Sequence, residues 1–329
     1  MDPRDLVDDL LELTVVGSFT TGGYRLRRAM YGWGEPARWP MAGRTVVITG
    51  PTSGLGREAA TSLASMRARL VLVGRDAGRL DEVRASLPRP AEGAHRTVVA
   101  DMASLAAVRA AATEILAAEP RIDVLVDNAG TMIPAREVTD EGHERTFATM
   151  VLGPFVMTSR LLPALAAASR SRIVAVTSGG MYAQALPLDD LEYQHGPYDG
   201  TRAYARAKRA QVALVREWAR RLGPRGIAVN AMHPGWADTP GLEAALPGFR
   251  RFVGRALRTP AEGADTMLWL AASPDAAPRT GRLFLDRRAR PFDRLPSTRL
   301  DASDRRELWD RVLDLAGEPD PTTPGGGIR

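Results

Sequence analysis

Thr49-Gly50-Pro51-Thr52-Ser53-Gly54-Leu55-Gly56 follows the apolar run Val46-Val47-Ile48 and leads into a segment of helical pattern. Gly50 can turn the chain sharply off a strand, Gly54 lets backbone approach a pyrophosphate, and Gly56 lets a helix pack close to the sheet. Unpaired amides at the start of that helix would face an anionic ligand. The octad predicts a dinucleotide-binding turn, and a plain strand-to-helix turn is the alternative that these residues alone leave open.

Short runs of β-branched or aliphatic residues alternate with longer helical patterns along the chain. Because the runs are apolar on both faces and are separated by helices, they predict a parallel sheet covered on both sides. We therefore expect an α/β, Rossmann-type, doubly wound fold: one domain with a seven-stranded parallel sheet and helices on both faces. The predicted strands are Thr45–Ile48, Leu70–Val73, Thr97–Ala100, Val124–Val126, Ile173–Val176, Ile227–Val229 and Leu283–Leu285.

The chain divides into three predicted parts. Residues 1–40 form an N-terminal extension with an amphipathic helix, residues 41–297 form the dinucleotide-binding domain, and residues 298–329 form a C-terminal helix and a disordered tail rich in proline and glycine. Inside the domain, Thr259-Pro260-Ala261-Glu262 predicts a capped helix start. Near the end, an apolar stripe predicts a docked helix; its members are Leu308, Trp309, Val312 and Leu313.

Composition narrows the class of protein. The 329 residues are 44% hydrophobic, which suffices for a full core. Cysteine is absent, which excludes disulfides and thiolate metal sites, and no metal site is expected. The net charge is +5, but acidic residues are scattered among the basic ones through most of the sequence, which argues against nucleic-acid binding. We find no uninterrupted apolar stretch long enough to span a bilayer, and the acidic start is unlike a secretory signal, so we expect a soluble, cytoplasmic protein.

Ser178, Tyr204 and Lys208 form a second constellation. Tyr204 and Lys208 are four residues apart in the helical segment Thr201–Leu222, so both project from one face. A cation beside the phenol would favour the phenolate and lower a pKa that is ordinarily near ~10. Ser178 follows a predicted strand, at the edge where open α/β sheets bind ligands, and its hydroxyl can donate to a substrate carbonyl. The set predicts acid–base catalysis by Tyr204, although taken singly each residue could be a surface residue or a cap.

The end of the second predicted strand bears on the choice of cofactor. An NAD-specific site would place a carboxylate immediately after this strand, but here Gly74 and Arg75 stand there. Because a guanidinium can donate two hydrogen bonds to a 2′-phosphate, we favour NADP(H) over NAD(H). Asp76 leaves the alternative open, since a shift of one or two residues would put its carboxylate on the ribose.

With these motifs the sequence resembles the short-chain dehydrogenase/reductase family over roughly residues 43–290. The resemblance is carried by TGPTSGLG at 49–56, Asp101, Asn128-Ala129-Gly130, Ser178, Tyr204-x-x-x-Lys208 and Pro234-Gly235. It is closest to one subgroup of that family, through SGGM at 178–181, HPGWADTPG at 233–241, PGF at 247–249, GADTMLWLA at 263–271 and the leader Phe19–Tyr24.

The resemblance implies roles for individual residues. Asp101 would accept from the adenine amino group, Asn128 would order the strand end beside the cofactor, Lys208 would also hold the nicotinamide ribose, and Thr239 would contact the carboxamide. A structural alternative for Asp101 is to cap the helix that begins near Ser104. The full set of implied cofactor contacts is Gly50, Thr52, Ser53, Gly54, Leu55, Gly56, Arg75, Asp101, Met102, Asn128, Ala129, Gly130, Tyr204, Lys208, Pro234, Gly235 and Thr239.

Met150 departs from the family pattern, which has Asn at this position. That Asn usually supports a water in the proton relay that links Lys208 to solvent, and a thioether is only a weak acceptor. The backbone carbonyl of Met150 would have to hold the water instead. This departure puts turnover in question more than cofactor binding.

The substrate is expected to be a small hydrophobic carbonyl or alcohol, because two apolar segments would line the pocket. One wall would hold Leu186, Leu188, Leu191, Tyr193 and Tyr198, and a mobile lid over Gly241–Leu257 would offer Leu242, Leu246, Phe249, Phe252 and Val253. These residues could equally pack on the sheet.

The N-terminal extension permits further contacts. Leu6, Leu10, Leu13 and Val16 recur at helical spacing opposite acidic residues, and the basic and aromatic segment Tyr24–Trp33 follows. We expect this stripe to pack on its own domain or on a second subunit, as in a homo-oligomer, and peripheral membrane contact is the alternative.

These observations predict an NADP(H)-dependent carbonyl reductase or alcohol dehydrogenase. A catalytically weak dinucleotide-binding protein that acts as a sensor or assembly partner is the alternative, supported by Met150. A nucleotide-sugar epimerase would share the Tyr/Lys pair but would normally have another glycine spacing and a longer C-terminal substrate domain.

Overall fold

An eight-stranded sheet forms the centre of the protein, in a computed structural model that describes residues 2–35, 39–240, 243, 248, 251 and 253–323. The strand order is β3-β2-β1-β4-β5-β6-β7-β8. The strands from β1 to β7 run parallel, and the order reverses between β1 and β4, where such sheets bind ligands. The strands are β1 Thr45–Thr49, β2 Arg69–Gly74, β3 Arg96–Val99, β4 Val124–Asp127, β5 Arg172–Val176, β6 Ala228–Met232, β7 Leu283–Leu285 and β8 Arg288–Arg290.

Helices cover both faces of the sheet, as the apolar runs predict. Successive strand residues point to opposite sides, so Val46 and Ile48 join one core and Val47 joins the other. The first core lies under α4, α5 and α10, and the second under α6, α8, α9 and α11. The helices are α1 Pro3–Leu13, α2 Val15–Phe19, α3 Thr21–Tyr31, α4 Gly54–Ser65, α5 Ala77–Ser86, α6 Leu105–Ala118, α7 Arg145–Phe147, α8 Gly153–Ala166, α9 Gly200–Leu222, α10 Pro260–Ala272 and α11 Ala302–Ala316.

The doubly wound fold is confirmed, but the sheet has one strand more than the seven predicted, and that strand is antiparallel. β8 pairs with β7 through a two-residue turn, Asp286-Arg287, in which both residues have positive φ (52° and 55°). Such turns match the twist of a hairpin. The sequence Arg288-Ala289-Arg290 has no apolar run, so a pattern search for buried strands misses it.

The N-terminal extension packs in the reverse of the expected orientation. Leu10, Leu13 and Val16 are 57%, 81% and 65% exposed, whereas Asp8 is buried and Glu12 is half-buried. The expectation that the apolar stripe packs on its own domain is therefore wrong. The reason is electrostatic: arginines from α3 and from the segment 288–294 pair with the acidic face, as Arg27, Arg290 and Arg294 do.

The C-terminal helix α11 docks as its stripe predicts. Leu308, Trp309 and Val312 are buried, and the Trp309 ring meets that of Trp218 on α9 at a centroid distance of 4.5 Å. The lid residues Leu242, Leu246, Phe249 and Phe252 and the tail beyond residue 323 lie outside the described residues. The boundaries at residues 40 and 297 stay predictions.

One continuous helical run, Arg145–Ala166, is long and apolar enough by length and composition to cross a membrane. It arises because α7, a π-helical turn (Ala148–Leu152) and α8 join into one run, and Arg160 interrupts its apolar residues, so it is not an uninterrupted apolar stretch. Its most apolar window is 89% buried inside the protein. The run is the core helix of the second face.

Candidate active site

The glycine loop leaves β1 at the point where the sheet order reverses. Gly50 has a φ of 66° and Gly54 a φ of 51°, which a side chain would strain. A Cβ at Gly56 would lie 2.1 Å from the Gly50 carbonyl oxygen, so only glycine fits. Ser53 precedes α4 without capping it by its side chain, which leaves the amides of the first turn for an anion. These features fit a dinucleotide pyrophosphate, with Thr52, Ser53 and Leu55 between and beside the glycines.

Asn128 joins the glycine loop to the end of β4. Its side-chain amide donates to the carbonyl oxygens of Thr49 and Gly50, both at 3.0 Å. The Thr49 hydroxyl in turn accepts from the backbone amides of Asn128 and Ala129. The two strands that flank the reversal are therefore tied together. This placement agrees with the role that the resemblance implies for Asn128.

Arg75 and Asp76 follow β2 and are both exposed. Asp76 caps α5: its carboxylate accepts from the Arg79 amide at 3.0 Å and lies 3.7 Å from the Arg79 guanidinium. Asp76 is thus engaged by its own helix, while Arg75 lies at the strand end without such a contact among the described residues.

Asp101 follows β3 and is not the cap of α6, because Ser104 occupies that position and accepts from the Ala107 amide. The Asp101 carboxylate accepts from the Ala103 amide at 2.9 Å and from Arg145 at 3.3 Å. It remains partly exposed, as a group that meets adenine would be. Met102, beside it, is buried.

Ser178, Tyr204 and Lys208 converge at the carboxyl edge of the sheet. Ser178 follows β5 and begins a short 3₁₀ turn, Gly179–Ala183, while Tyr204 and Lys208 project from α9. The Ser178 hydroxyl lies near enough to the Tyr204 phenol to lower its pKa, and it accepts from the Gly180 amide at 3.3 Å. Lys208 Nζ lies 5.6 Å from the centre of the Tyr204 ring and donates to the Val176 carbonyl oxygen at 2.8 Å.

The expected lowering of the Tyr204 pKa is wrong for this structure. Burial raises the pKa of Tyr204, and the nearby Ser178 hydroxyl opposes that effect only in part. Burial also lowers the pKa of Lys208 to about 7, with Asp127 acting in the opposite direction. The reason is desolvation: Lys208 is itself buried, and its ammonium donates to a backbone carbonyl rather than to the phenol oxygen.

Met150 lies in the π-helical turn with its side chain buried. Its sulfur and Lys208 Nζ would each lie 3.5 Å from a Cβ placed on Gly130, so both face the same point. The backbone carbonyl oxygen of Met150, the candidate support for a water, accepts from the side-chain amide of Gln211 at 2.8 Å.

Pro234 and Gly235 follow β6, and Gly235 has a φ of 70°. A Cβ on Gly235 would lie 2.5 Å from Arg258 Nε and 2.7 Å from the Phe19 carbonyl oxygen, so the loop is closely covered. Thr239 reaches the glycine loop, because a Cβ on Gly54 would lie 3.2 Å from its side chain.

Phe19 from the N-terminal extension reaches the active site, which sequence reasoning missed. A Cβ on Gly179, next to Ser178, would lie 2.4 Å from the Phe19 ring. The ring also meets His233 at 4.7 Å and Trp236 at 5.8 Å. The leader matches a motif of the subgroup, but no local pattern shows where it docks.

The predicted wall residues lie mainly in the interior. Leu186 and Leu191 are buried in the second core, with Leu188 packed against it. The Tyr198 hydroxyl donates to Glu144, and the Tyr193 ring lies under Arg206. Their packing on the fold is thus established, whereas contact with a substrate stays a prediction.

Sequence reasoning also missed two polar residues around Lys208. Asp127 ends β4 as a buried carboxylate, and Gln211 follows Lys208 by three residues on α9. The signal for Asp127 is a charged residue at the end of an otherwise apolar strand.

Comparison with known proteins shows the family to which this chain is related. Residues 44–247 match the model of the short chain dehydrogenase family. The chain is 39% identical over 249 residues to dehydrogenase/reductase SDR family member 12 from Homo sapiens, covering 75% of this chain and 77% of that protein. This is the subgroup that the motifs at residues 178–181 and 233–241 indicate.

Two further comparisons agree. Retinol dehydrogenase 14 from Homo sapiens is 36% identical over 308 residues, covering 88% of this chain and 90% of that protein. The structure of 3-ketoacyl-(acyl-carrier-protein) reductase from Brucella melitensis, complexed with NADH, superposes with a TM-score of 0.61 at 27% identity, covering 74% of this chain and 96% of that one.

Proposed function

This chain belongs to the short-chain dehydrogenase/reductase family, and we propose that it transfers a hydride between NADP(H) and a hydrophobic carbonyl or alcohol. As a member of that family it is an NAD(P)-dependent oxidoreductase that acts on CH–OH or C=O groups. The observation that carries the finer proposal is the convergence of Ser178, Tyr204 and Lys208 at the sheet edge that also holds the glycine loop.

Each residue has a separate task in this proposal. The Ser178 hydroxyl donates to the substrate oxygen and holds it beside the Tyr204 phenol. In reduction, Tyr204 gives its proton to that oxygen, and in oxidation it accepts the proton back. Lys208 holds positive charge beneath the phenol and stabilises the phenolate that forms. The bound nicotinamide supplies or accepts the hydride.

The remaining residues would hold the cofactor. The glycine loop and the first turn of α4 would bind the pyrophosphate. Asp101 would meet the adenine and Thr239 the carboxamide, as the family resemblance implies. For the 2′-phosphate we propose Arg75, because it is exposed at the end of β2 while Asp76 is engaged in capping α5.

A hydrophobic substrate is supported by the apolar side chains near Ser178. The Phe19 ring packs against Gly179 and meets Trp236. The relative named retinol dehydrogenase acts, by its name, on an alcohol. We therefore propose an apolar alcohol or carbonyl compound as the substrate class.

The decisive experiment is turnover by purified protein with a panel of hydrophobic carbonyls and alcohols, each with NADPH and NADH. Tyr204→Phe removes only the phenolic oxygen, so the other implied cofactor contacts remain and the variant should still bind NADPH. Its kcat should fall by about 10²- to 10⁴-fold, the usual contribution of a positioned acid–base group. Comparable kcat values in the two proteins would refute the assignment.

A second candidate is a dinucleotide-binding sensor or assembly protein with weak catalysis. Two observations favour it: Met150 stands where a relay residue is expected, and the pKa of Tyr204 is raised. Tight NADPH binding by wild-type protein with no turnover on any compound of the panel would support this candidate over the enzyme.

We also propose that the protein touches a membrane surface through α1 and α2. Their acidic face is fixed inward by buried arginines, so Leu6, Leu10, Leu13 and Val16 face outward. An apolar stripe on a helix with a fixed polar face can enter the headgroup region. Co-sedimentation with neutral vesicles should fall for Leu10→Ser/Leu13→Ser, while a homodimer on this face would instead dissociate in that variant. Cell fractionation would test the companion proposal of a cytoplasmic location.

A further inference from the structure

Asp127 is a buried carboxylate that the reaction described above does not use. It ends β4, is 5% exposed and lies one residue before Asn128. One carboxylate oxygen accepts a long hydrogen bond, 3.4 Å, from the Thr158 hydroxyl of α8. The other oxygen, Oδ1, is buried and has no hydrogen-bond partner. An isolated buried carboxylate is unfavourable unless something compensates its charge.

Lys208 is the group that can compensate it. Asp127 pairs with Ala175 on the neighbouring strand, and Lys208 Nζ donates to the carbonyl of the next residue, Val176. The two side chains thus approach the same strand ends, from β4 and from α9. They do not form a direct ion pair, so the attraction acts through the dry interior, where charges interact strongly.

No other charged group acts on the Lys208 ammonium among the described residues. The neighbouring elements present Tyr204 from α9, Thr158 from α8, Ser178 from the segment after β5 and Met150 from the π-helical turn. None of these carries a charge at neutral pH. Burial raises the pKa of Asp127 to about 7 and lowers that of Lys208 to about 7, and each group opposes the shift of the other.

We propose that Asp127 is a positioning residue for the reaction, whose carboxylate is the counter-charge that keeps the Lys208 ammonium protonated beneath Tyr204. The inference rests on the proposed function for its catalytic meaning, but the charge coupling can be measured without turnover. Met150 gives Lys208 no side-chain amide as a partner, so the stabilising charge comes from Asp127 at the end of β4. Gln211, which fixes the Met150 carbonyl, keeps that side of the site in place.

The composition of the chain makes a direct test available. Lys208 is the only lysine in the sequence, and all other basic residues counted among the 44 are arginines. In protein grown with lysine labelled at ¹³Cε, one NMR signal therefore reports the Lys208 protonation state as pH is varied. No assignment experiment is needed.

Asp127→Asn keeps the shape of the side chain and removes its charge. We expect the Lys208 titration midpoint to move at least one pH unit lower, which is tenfold in the ammonium-to-amine ratio. Asp123→Asn is the matched control, because Asp123 is equally buried at the start of β4 but pairs with Arg44 and Arg121. Its Lys208 midpoint should match the wild type.

Thr158→Val is the second variant, which covers the case that Asp127→Asn fails to fold. It removes the hydrogen bond that stabilises the Asp127 carboxylate, so the Lys208 midpoint should move in the same direction by a smaller amount. An unchanged midpoint in either folded variant, or a rise, would overturn the proposal.

The kinetic arm distinguishes this inference from the proposed function. With an accepted substrate, the loss of kcat at high pH should begin at least one pH unit lower in Asp127→Asn than in the wild type. The Kd for NADPH should stay within about twofold, well below the tenfold change in the ammonium-to-amine ratio that a one-unit shift represents. If the NMR midpoint moves but no substrate turns over in the wild type, the charge coupling stands and the enzymatic assignment fails. A kcat profile unchanged in Asp127→Asn would overturn the positioning role.

Discussion

Asp286 holds two buried arginines, and replacing it with Asn tests how the N-terminal extension is attached. The residue lies in the β7–β8 turn and is 1% exposed. Its carboxylate accepts from Arg27 at 2.8 Å and from both terminal nitrogens of Arg258, at 2.6 and 2.9 Å. Arg27 belongs to α3, so one carboxylate links the extension, the hairpin and the segment before α10.

The stability lost in Asp286→Asn depends on the partners that each arginine keeps. Arg27 keeps Asp8 and Glu12, but Arg258 has no other carboxylate among the described residues and would keep backbone carbonyl oxygens and the Tyr24 ring. Removing one partner of such a buried pair usually costs about 3–5 kcal/mol. For a protein of 329 residues that corresponds to a fall in Tm of roughly 4–7 °C.

The assay is urea unfolding and calorimetry of Asp286→Asn beside a matched control. Asp81→Asn removes an exposed ion pair with Arg84, whose worth is below about 1 kcal/mol, so its Tm should stay near that of the wild type. Asp286→Asn should also release the extension to trypsin sooner. A Tm equal to that of the control would refute the view that Asp286 anchors the extension.

Four further predictions follow from the same contacts. Arginines hold the pKa values of Asp8 and Asp286 below the ordinary range of an aspartate. The stability that these carboxylates contribute is therefore complete above the ordinary pKa and should be lost as the pH falls below it. Urea unfolding between about pH 3 and pH 7 would detect this loss. Gly56→Ala should abolish NADPH binding measured by fluorescence, because its Cβ would overlap the Gly50 carbonyl. Arg75→Ala should raise the KM for NADPH while leaving that for NADH unchanged, and equal effects on both would contradict the 2′-phosphate assignment. Met150→Asn should raise kcat on an accepted substrate, and the relay argument fails if no rate increases.

The parts of the site that depend on local spacing could be predicted from the sequence. The glycine octad, the Tyr204–Lys208 pair and the cap at Thr259 each lie within a few residues, so the local backbone fixes their geometry. Ser178 follows from the rule that parallel strands end at one edge. The structure places all of these where the patterns predict.

Other features depend on contacts that no local pattern reveals. Hydrophobic periodicity finds the two faces of α1 but not which face turns inward, because that depends on Arg290 and Arg294 nearly 300 residues away. The contact between Phe19 and Gly179 likewise joins residues far apart in the sequence, so no local pattern reveals it. The direction of the Tyr204 pKa shift also depends on the full surroundings, since desolvation by burial outweighs the opposing effect of the Ser178 hydroxyl.

The docking of Phe19 beside Gly179 has a practical consequence for work on this protein. The family match begins at residue 44, and a gene trimmed to that point would still encode every motif from the glycine octad onward. Such a shortened polypeptide would bare the His233 and Trp236 rings and leave Arg258 without the carbonyl oxygens of Ser18 and Phe19. The active site of the shortened protein would therefore be damaged. An inactive shortened protein would not show that the full-length protein is inactive.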